Sequence, residues 1–114
     1  MLEVIATGKA LWDFYLRGEF ILVEDGVFIS EEKCVGKIIV THVPSPDIVL
    51  YMKNALAVVT ETGGVLCHAA VLALELGCPI IVAAEGVCEK LYGRNIIELE
   101  GKNGEGVVYA ERTV

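Results

Sequence analysis

Nothing in the 114 residues approaches the roughly 18 consecutive apolar side chains of a membrane-crossing helix. Glu3 stands where a signal peptide would open with a basic region and an apolar stretch. A soluble, unprocessed chain without membrane association is expected. Lysine and arginine are few, nine against sixteen aspartate and glutamate, and they are scattered. The resulting charge of -7 argues against a nucleic-acid partner. It also repels free polyanions at long range, so any phosphate chemistry must rest on local dipoles or on groups that a partner brings. No C-x-x-C pair occurs among Cys34, Cys67, Cys78 and Cys88, which leaves no zinc or redox motif and predicts no metal site. Three of the four lie in apolar runs, the setting of buried, reduced thiols in a cytoplasmic protein. Repeats, linkers and low-complexity tracts are missing too. What is present, a 54% hydrophobic composition over one domain's length, suits a single domain spanning residues 1–114 around one core.

Phe20–Val23 and Val27–Ile29 flank Asp25-Gly26, a pair that tolerates the positive φ of a tight turn, and predict a hairpin. Gly36–Val43 reads as a strand that ends at Pro44-Ser45-Pro46. Ser45 can cap a helix opening at Pro46 and Asp47, whose Ile48, Tyr51, Met52 and Ala55 form an apolar stripe. Ala55–Thr60 is a strand-length apolar run leading into Glu61-Thr62-Gly63-Gly64. A helix over Val65–Leu76, stopped by Gly77 and Pro79, precedes an apolar strand, Pro79–Ala84. Val87–Tyr92 predicts a helical turn. Asn95–Glu100 and Gly106–Ala110 predict a second hairpin. The alternation of strand and helix in the middle implies crossovers and a small parallel sheet, while the ends supply antiparallel strands. The fold class that accommodates both is α/β with three layers: a parallel sheet packed on an antiparallel one, with helices outside.

The segment from Thr60 to Ala70 places His68 in the first turn of a helix, just past the C-terminal end of a parallel strand, where open α/β sheets bind ligands. Gly63 and Gly64 permit a sharp turn and close backbone approach, and the unpaired amides of the first helical turn favour an anion. The positive end of the helix, with partial burial among Val65, Ala69 and Leu72, disfavours a charged ring and predicts a nucleophilic imidazole. A phosphoryl group on that ring lies near the same dipoles, a contribution of about 0.3 to 1 kcal/mol. Thr62 and Cys67, and more weakly Thr60, could donate hydrogen bonds to phosphoryl oxygens. Each of these residues also has a plainer reading. His68 could serve only as a helix-start residue, the glycine pair as an ordinary connection and Glu75 as a solvated side chain. Cys67 could instead be a reactive thiol.

The run Thr62-Gly63-Gly64-Val65-Leu66-Cys67-His68-Ala69-Ala70-Val71-Leu72-Ala73, followed by Glu75-Leu76-Gly77-Cys78-Pro79, resembles the phosphohistidine signature of the phosphoenolpyruvate-utilising mobile domain. Pyruvate phosphate dikinase, phosphoenolpyruvate synthase and enzyme I of the sugar phosphotransferase system belong to that family. The resemblance extends over Gly36–Val43, Pro46–Asn54, Ala57–Glu61 and the closing Ile96–Tyr109 hairpin. It implies a swivelling β/β/α domain in which the matching His68 is a phosphohistidine intermediate, with Thr62, Gly63, Gly64 and Cys67 around the phosphoryl group. No cofactor would be bound directly. The phosphoryl group would come from phosphoenolpyruvate or ATP by way of a partner, where magnesium is held.

Three departures accompany the match. Leu74 replaces the usual arginine, Ala83 replaces the usual glycine, and the N-terminal Gly-Ser-Pro-Gly is absent, with Gly8–Gly18 and its Trp12, Phe14 and Tyr15 in its place. Those aromatics are expected in the core, with a partner surface as the alternative. The 114 residues leave no room for an ATP-binding domain or a phosphoenolpyruvate-binding barrel, and the chain opens at Met1. The implied protein is a stand-alone carrier, a component of a phosphotransferase system that is not a complete enzyme alone and works with separately encoded ATP-binding or phosphoenolpyruvate-binding domains. Assembly into a homo-oligomer is left open. The alternative is a binding or regulatory module that keeps the fold without the transfer.

Overall fold

The computed structural model describes residues 1–24, 29–43 and 48–112. Its strands are β1 (Leu2–Ala10), β2 (Phe14–Val23), β3 (Ile38–Thr41), β4 (Ala57–Thr60), β5 (Ile80–Val82), β6 (Ile96–Lys102) and β7 (Glu105–Glu111). The helices are α1 (Glu31–Cys34), α2 (Ile48–Met52), α3 (His68–Leu76) and α4 (Val87–Lys90).

β2, β3, β4 and β5 are parallel neighbours, each joined to the next through a helical crossover. Such strands are covered on both faces, and the fully buried Ile38–Thr41 and Ala57–Thr60 carry the β-branched residues that fit that setting. β1, β7, β6 and the first half of β2 form an antiparallel sheet. Two strands serve both sheets. β2 pairs with β6 through Phe14–Glu19 and with β3 through Phe20–Val23, while β1 pairs with β7 along its length and with β5 only at Lys9 and Ala10. The expected layers are therefore joined at both edges into a closed barrel.

Side chains sort by the two-residue period of the strands. Ile38, Val40, Val59 and Ile81 point inward and meet Ile5, Ile97, Leu99 and Val108 of the antiparallel layer. Ile39, Val58, Ile80 and Val82 point outward, where Met52 of α2 and Ala69, Ala70 and Ala73 of α3 cover them. The layer order read from the sequence thus follows from which face each residue takes.

Several details differ from the sequence-based expectations: α3 opens at His68 rather than Val65, and α1 has no counterpart among the expected elements. Phe20–Val23 is a strand, but it is the second half of β2 and its partner is β3. The Asp25-Gly26 turn and Val27 lie outside the described residues, and Ile29 is in no strand. β1 has no counterpart in the sequence reading. Its period is broken by a register shift between Val4 and Ala6, and Gly8 interrupts it further. The aromatic cluster divides: Phe14 packs against the core, whereas Tyr15 is exposed. The proposed Ser45 cap, Pro46 and Asp47 also lie outside the described residues. No helix among the described residues is long and apolar enough to cross a membrane.

Candidate functional site

Parallel strands β3 and β4 end together, with Thr41 opposite Thr60. Both threonines are buried, and each hydroxyl donates to the carbonyl two residues ahead, Thr41 to Val43 at 3.4 Å and Thr60 to Thr62 at 2.6 Å. The ladder continues past the strands, since the Glu61 and Thr62 amides donate to the Thr41 and His42 carbonyls at 3.0 and 3.1 Å. The chain then turns at Gly63, whose φ of +103° favours glycine. Gly64 has open space where a β-carbon would stand, and its carbonyl accepts from the Cys67 amide at 3.0 Å. α3 begins here.

Cys67 is the N-cap of α3, but its side chain makes no capping hydrogen bond. The Cys67 carbonyl accepts from the Val71 amide at 3.0 Å, so the amides of His68, Ala69 and Ala70 precede the first intrahelical bond. The helix ends at Gly77, in the left-handed conformation with φ of +69°, as the sequence predicts. His68 is the first helical residue, and Ala69 and Ala70 behind it are buried against β4 and β5.

His68 is exposed, as are Thr62, Gly63, Gly64, Val65 and Leu66. This corrects the expected partial burial of the ring among Val65, Ala69 and Leu72. Only Ala69 is buried, because α3 turns its small residues toward the sheet and leaves the start of the helix facing solvent. Thr60 is also corrected. It is fully buried and its hydroxyl is committed to the Thr62 carbonyl, which removes it from the surface around His68. The Thr62 hydroxyl donates to the His42 carbonyl at 3.2 Å, so donation to another oxygen requires that bond to exchange. Cys67 is half-buried. The loop and the start of the helix therefore bring His68, Thr62, Gly63, Gly64 and Cys67 to one edge. Leu74 is 64% exposed on α3.

The sequence reading missed two residues beside this loop. His42 Nδ1 lies 3.3 Å from Glu61 Oε1, and the Glu61 carboxylate borders the same cavity as the Cys88 thiol. Burial, and then this carboxylate, push the Cys88 thiol up to about 12. The signal was the strand register: if Thr41 faces Thr60, then His42 and Glu61 are neighbours. Among the described residues no three His, Cys, Asp or Glu side chains converge as a metal site.

A parallel sheet on an antiparallel one, with helices outside and an exposed histidine opening a helix at the C-terminal edge, defines a β/β/α domain of the α/β class. Residues 35–104 match the family described as "PEP-utilising enzyme, mobile domain", and the chain belongs to that family. It is 38% identical over 109 residues to the phosphoenolpyruvate synthase of Helicobacter pylori, and 36% over 112 residues to that of Escherichia coli. These alignments cover 95% and 96% of the chain but only 13% and 14% of the two relatives, so the chain spans a small part of the curated relatives it matches. The NMR solution structure of an Enzyme I protein shares the fold, with a TM-score of 0.53 and 22% identity, covering 65% of this chain and 31% of that one.

Proposed function

We propose that the chain is a phosphoryl carrier and that His68 is its phosphohistidine. One observation carries this reading: an exposed imidazole stands as the first residue of an uncapped helix, behind a glycine turn at the C-terminal edge of a parallel sheet. The ring nitrogen has open access for in-line attack. Its lone pair forms a bond to phosphorus while the bond from phosphorus to the donor's oxygen breaks, and the leaving oxygen keeps the electron pair. The backbone amides at the start of α3 supply partial positive charge without a lysine or arginine in the motif, which suits an acidic protein. Gly63 and Gly64 let the phosphoryl oxygens approach the backbone, while Thr62 and Cys67 border them.

The names of the relatives make phosphoenolpyruvate the donor or product to consider, and the family resemblance adds ATP. Each would be bound with magnesium on a separate domain, to and from which this domain would swing. Four free cysteines and such donors fit a cytoplasmic setting.

The test is incubation with phosphoenolpyruvate or ATP and a lysate of the source, followed by assay for acid-labile phosphate. Label is expected on His68 and is lost in His68→Ala. Because the ring is exposed, that variant should keep its stability within about 0.5 kcal/mol. Consistent absence of label from the unmodified chain would count against the carrier role.

A further inference from the structure

The loop that presents His68 is held from behind by a residue that the carrier chemistry does not use. In the parallel register of β3 and β4, paired residues share a face and successive residues alternate. Thr41 and Thr60 lie on the helix side, so His42 and Glu61 leave the sheet together on the opposite side, at the mouth of the barrel. There they border a cavity of about 430 Å³ with Leu22, Val40, Cys88 and Tyr92. His42 engages the next strand's exit twice. Its Nδ1 meets Glu61 Oε1 at 3.3 Å, and its carbonyl accepts from both the amide and the hydroxyl of Thr62, at 3.1 and 3.2 Å. Glu61 is a firm anchor, with a side chain only 12% exposed. The His42 ring is 64% exposed, so it contributes little to the core.

We propose that His42 is a positioning residue for the phosphoryl site, an inference that rests on the carrier reading of His68. Its imidazole, braced on Glu61, sets the carbonyl that ties Thr62 and so fixes the Thr62-Gly63-Gly64 turn in front of the reacting ring. Two glycines give that turn freedom and no side chain to hold it, and transfer tolerates little misplacement. The restraint must therefore come from outside the turn, and His42 provides it at the last residue before the glycines.

The experiment uses phosphoramidate, a small donor that phosphorylates histidine with release of ammonia and needs no partner. Peptide mapping separates label on His68 from label on His42, the chain's other histidine. His42→Ala is expected to slow labelling of His68 by about tenfold and to speed hydrogen exchange at the Thr62 amide. His42→Asn, whose side-chain amide can take the place of Nδ1 against Glu61, is expected to restore both, with equal thermal midpoints in the two variants. Wild-type labelling in His42→Ala would overturn the role of His42 alone, as would a His42→Asn that is as slow as His42→Ala. Absence of label from the wild-type chain under the same conditions would overturn the carrier reading and this role with it.

Discussion

Ala83 takes φ of +59°, in the left-handed region where a β-carbon crowds the backbone and where the family resemblance implies glycine. The turn after β5 keeps that conformation despite the substitution because its ends are fixed: Val82 belongs to the strand, and the Ala84 amide donates to the Thr60 carbonyl at 2.9 Å. Ala83→Gly is expected to stabilise the protein by about 0.5 to 1 kcal/mol, the relief of strain exceeding the added freedom of the unfolded chain. A rise of a few degrees in thermal midpoint checks it. The thiols give a second residue-scale outcome. Burial raises Cys78 to about 11, and burial with Glu61 raises Cys88 to about 12, both from 9.0. Above 9.0 the unfolded chain gives up these protons before the folded one does, so stability is whole at lower pH and falls as pH rises toward 12. Urea unfolding should show this alkaline loss, and Cys88→Ala should flatten part of it.

At the scale of elements, the approach of β1 to β5 depends on Gly8. A β-carbon there would overlap the Val82 carbonyl oxygen and crowd Ala83 and Ala84, all of it backbone. A flexible side chain could move aside, but a strand cannot do so without breaking its pairing. Gly8→Ala is therefore expected to cost about 3 kcal/mol, the upper end of the overpacking range, measured by denaturant midpoint. Gly106 of β7 is a related case with a softer neighbour, since its β-carbon would stand 2.7 Å from the Ile81 side chain, which has rotamers to try. α3 differs from both. It spends its small residues Ala69, Ala70 and Ala73 on close packing against the sheet, which leaves Val71 and Leu74 outward and His68 at its open end.

For the whole molecule, closure of the barrel has a thin seam between its first strand and β5. β1 meets β7 through pairs from Leu2–Glu111 to Lys9–Glu105, but it meets β5 only at Lys9–Val82 and Ala10–Ile81. Fewer shared hydrogen bonds make local opening easier there than at the β6–β7 ladder. Native-state hydrogen exchange should find the β1–β5 amides exchanging well before those of Leu99 and Val108. Equal protection at both places would show that the barrel opens only as a unit. The seam borders the turn of Ala83, so Ala83→Gly and Gly8→Ala should shift its exchange in opposite directions.

Much of this arrangement was already written along the chain. Apolar runs of strand length, separated by helix-forming stretches and glycine stops, foretold β3, β4, β5 and α3, and the glycine turn marked His68 as the first-turn residue. Local signals suffice there, because burial on both faces and helix termination are properties of contiguous residues. β1 was hidden, since its bulge and Gly8 break the period that reveals a strand. The partner of β2, the closing of two layers into one barrel, the exposure of the His68 ring and the His42–Glu61 pair were all decided in three dimensions. Each depends on which strands lie side by side and in what register, and pairing between residues distant in the chain is settled by the packing of the whole.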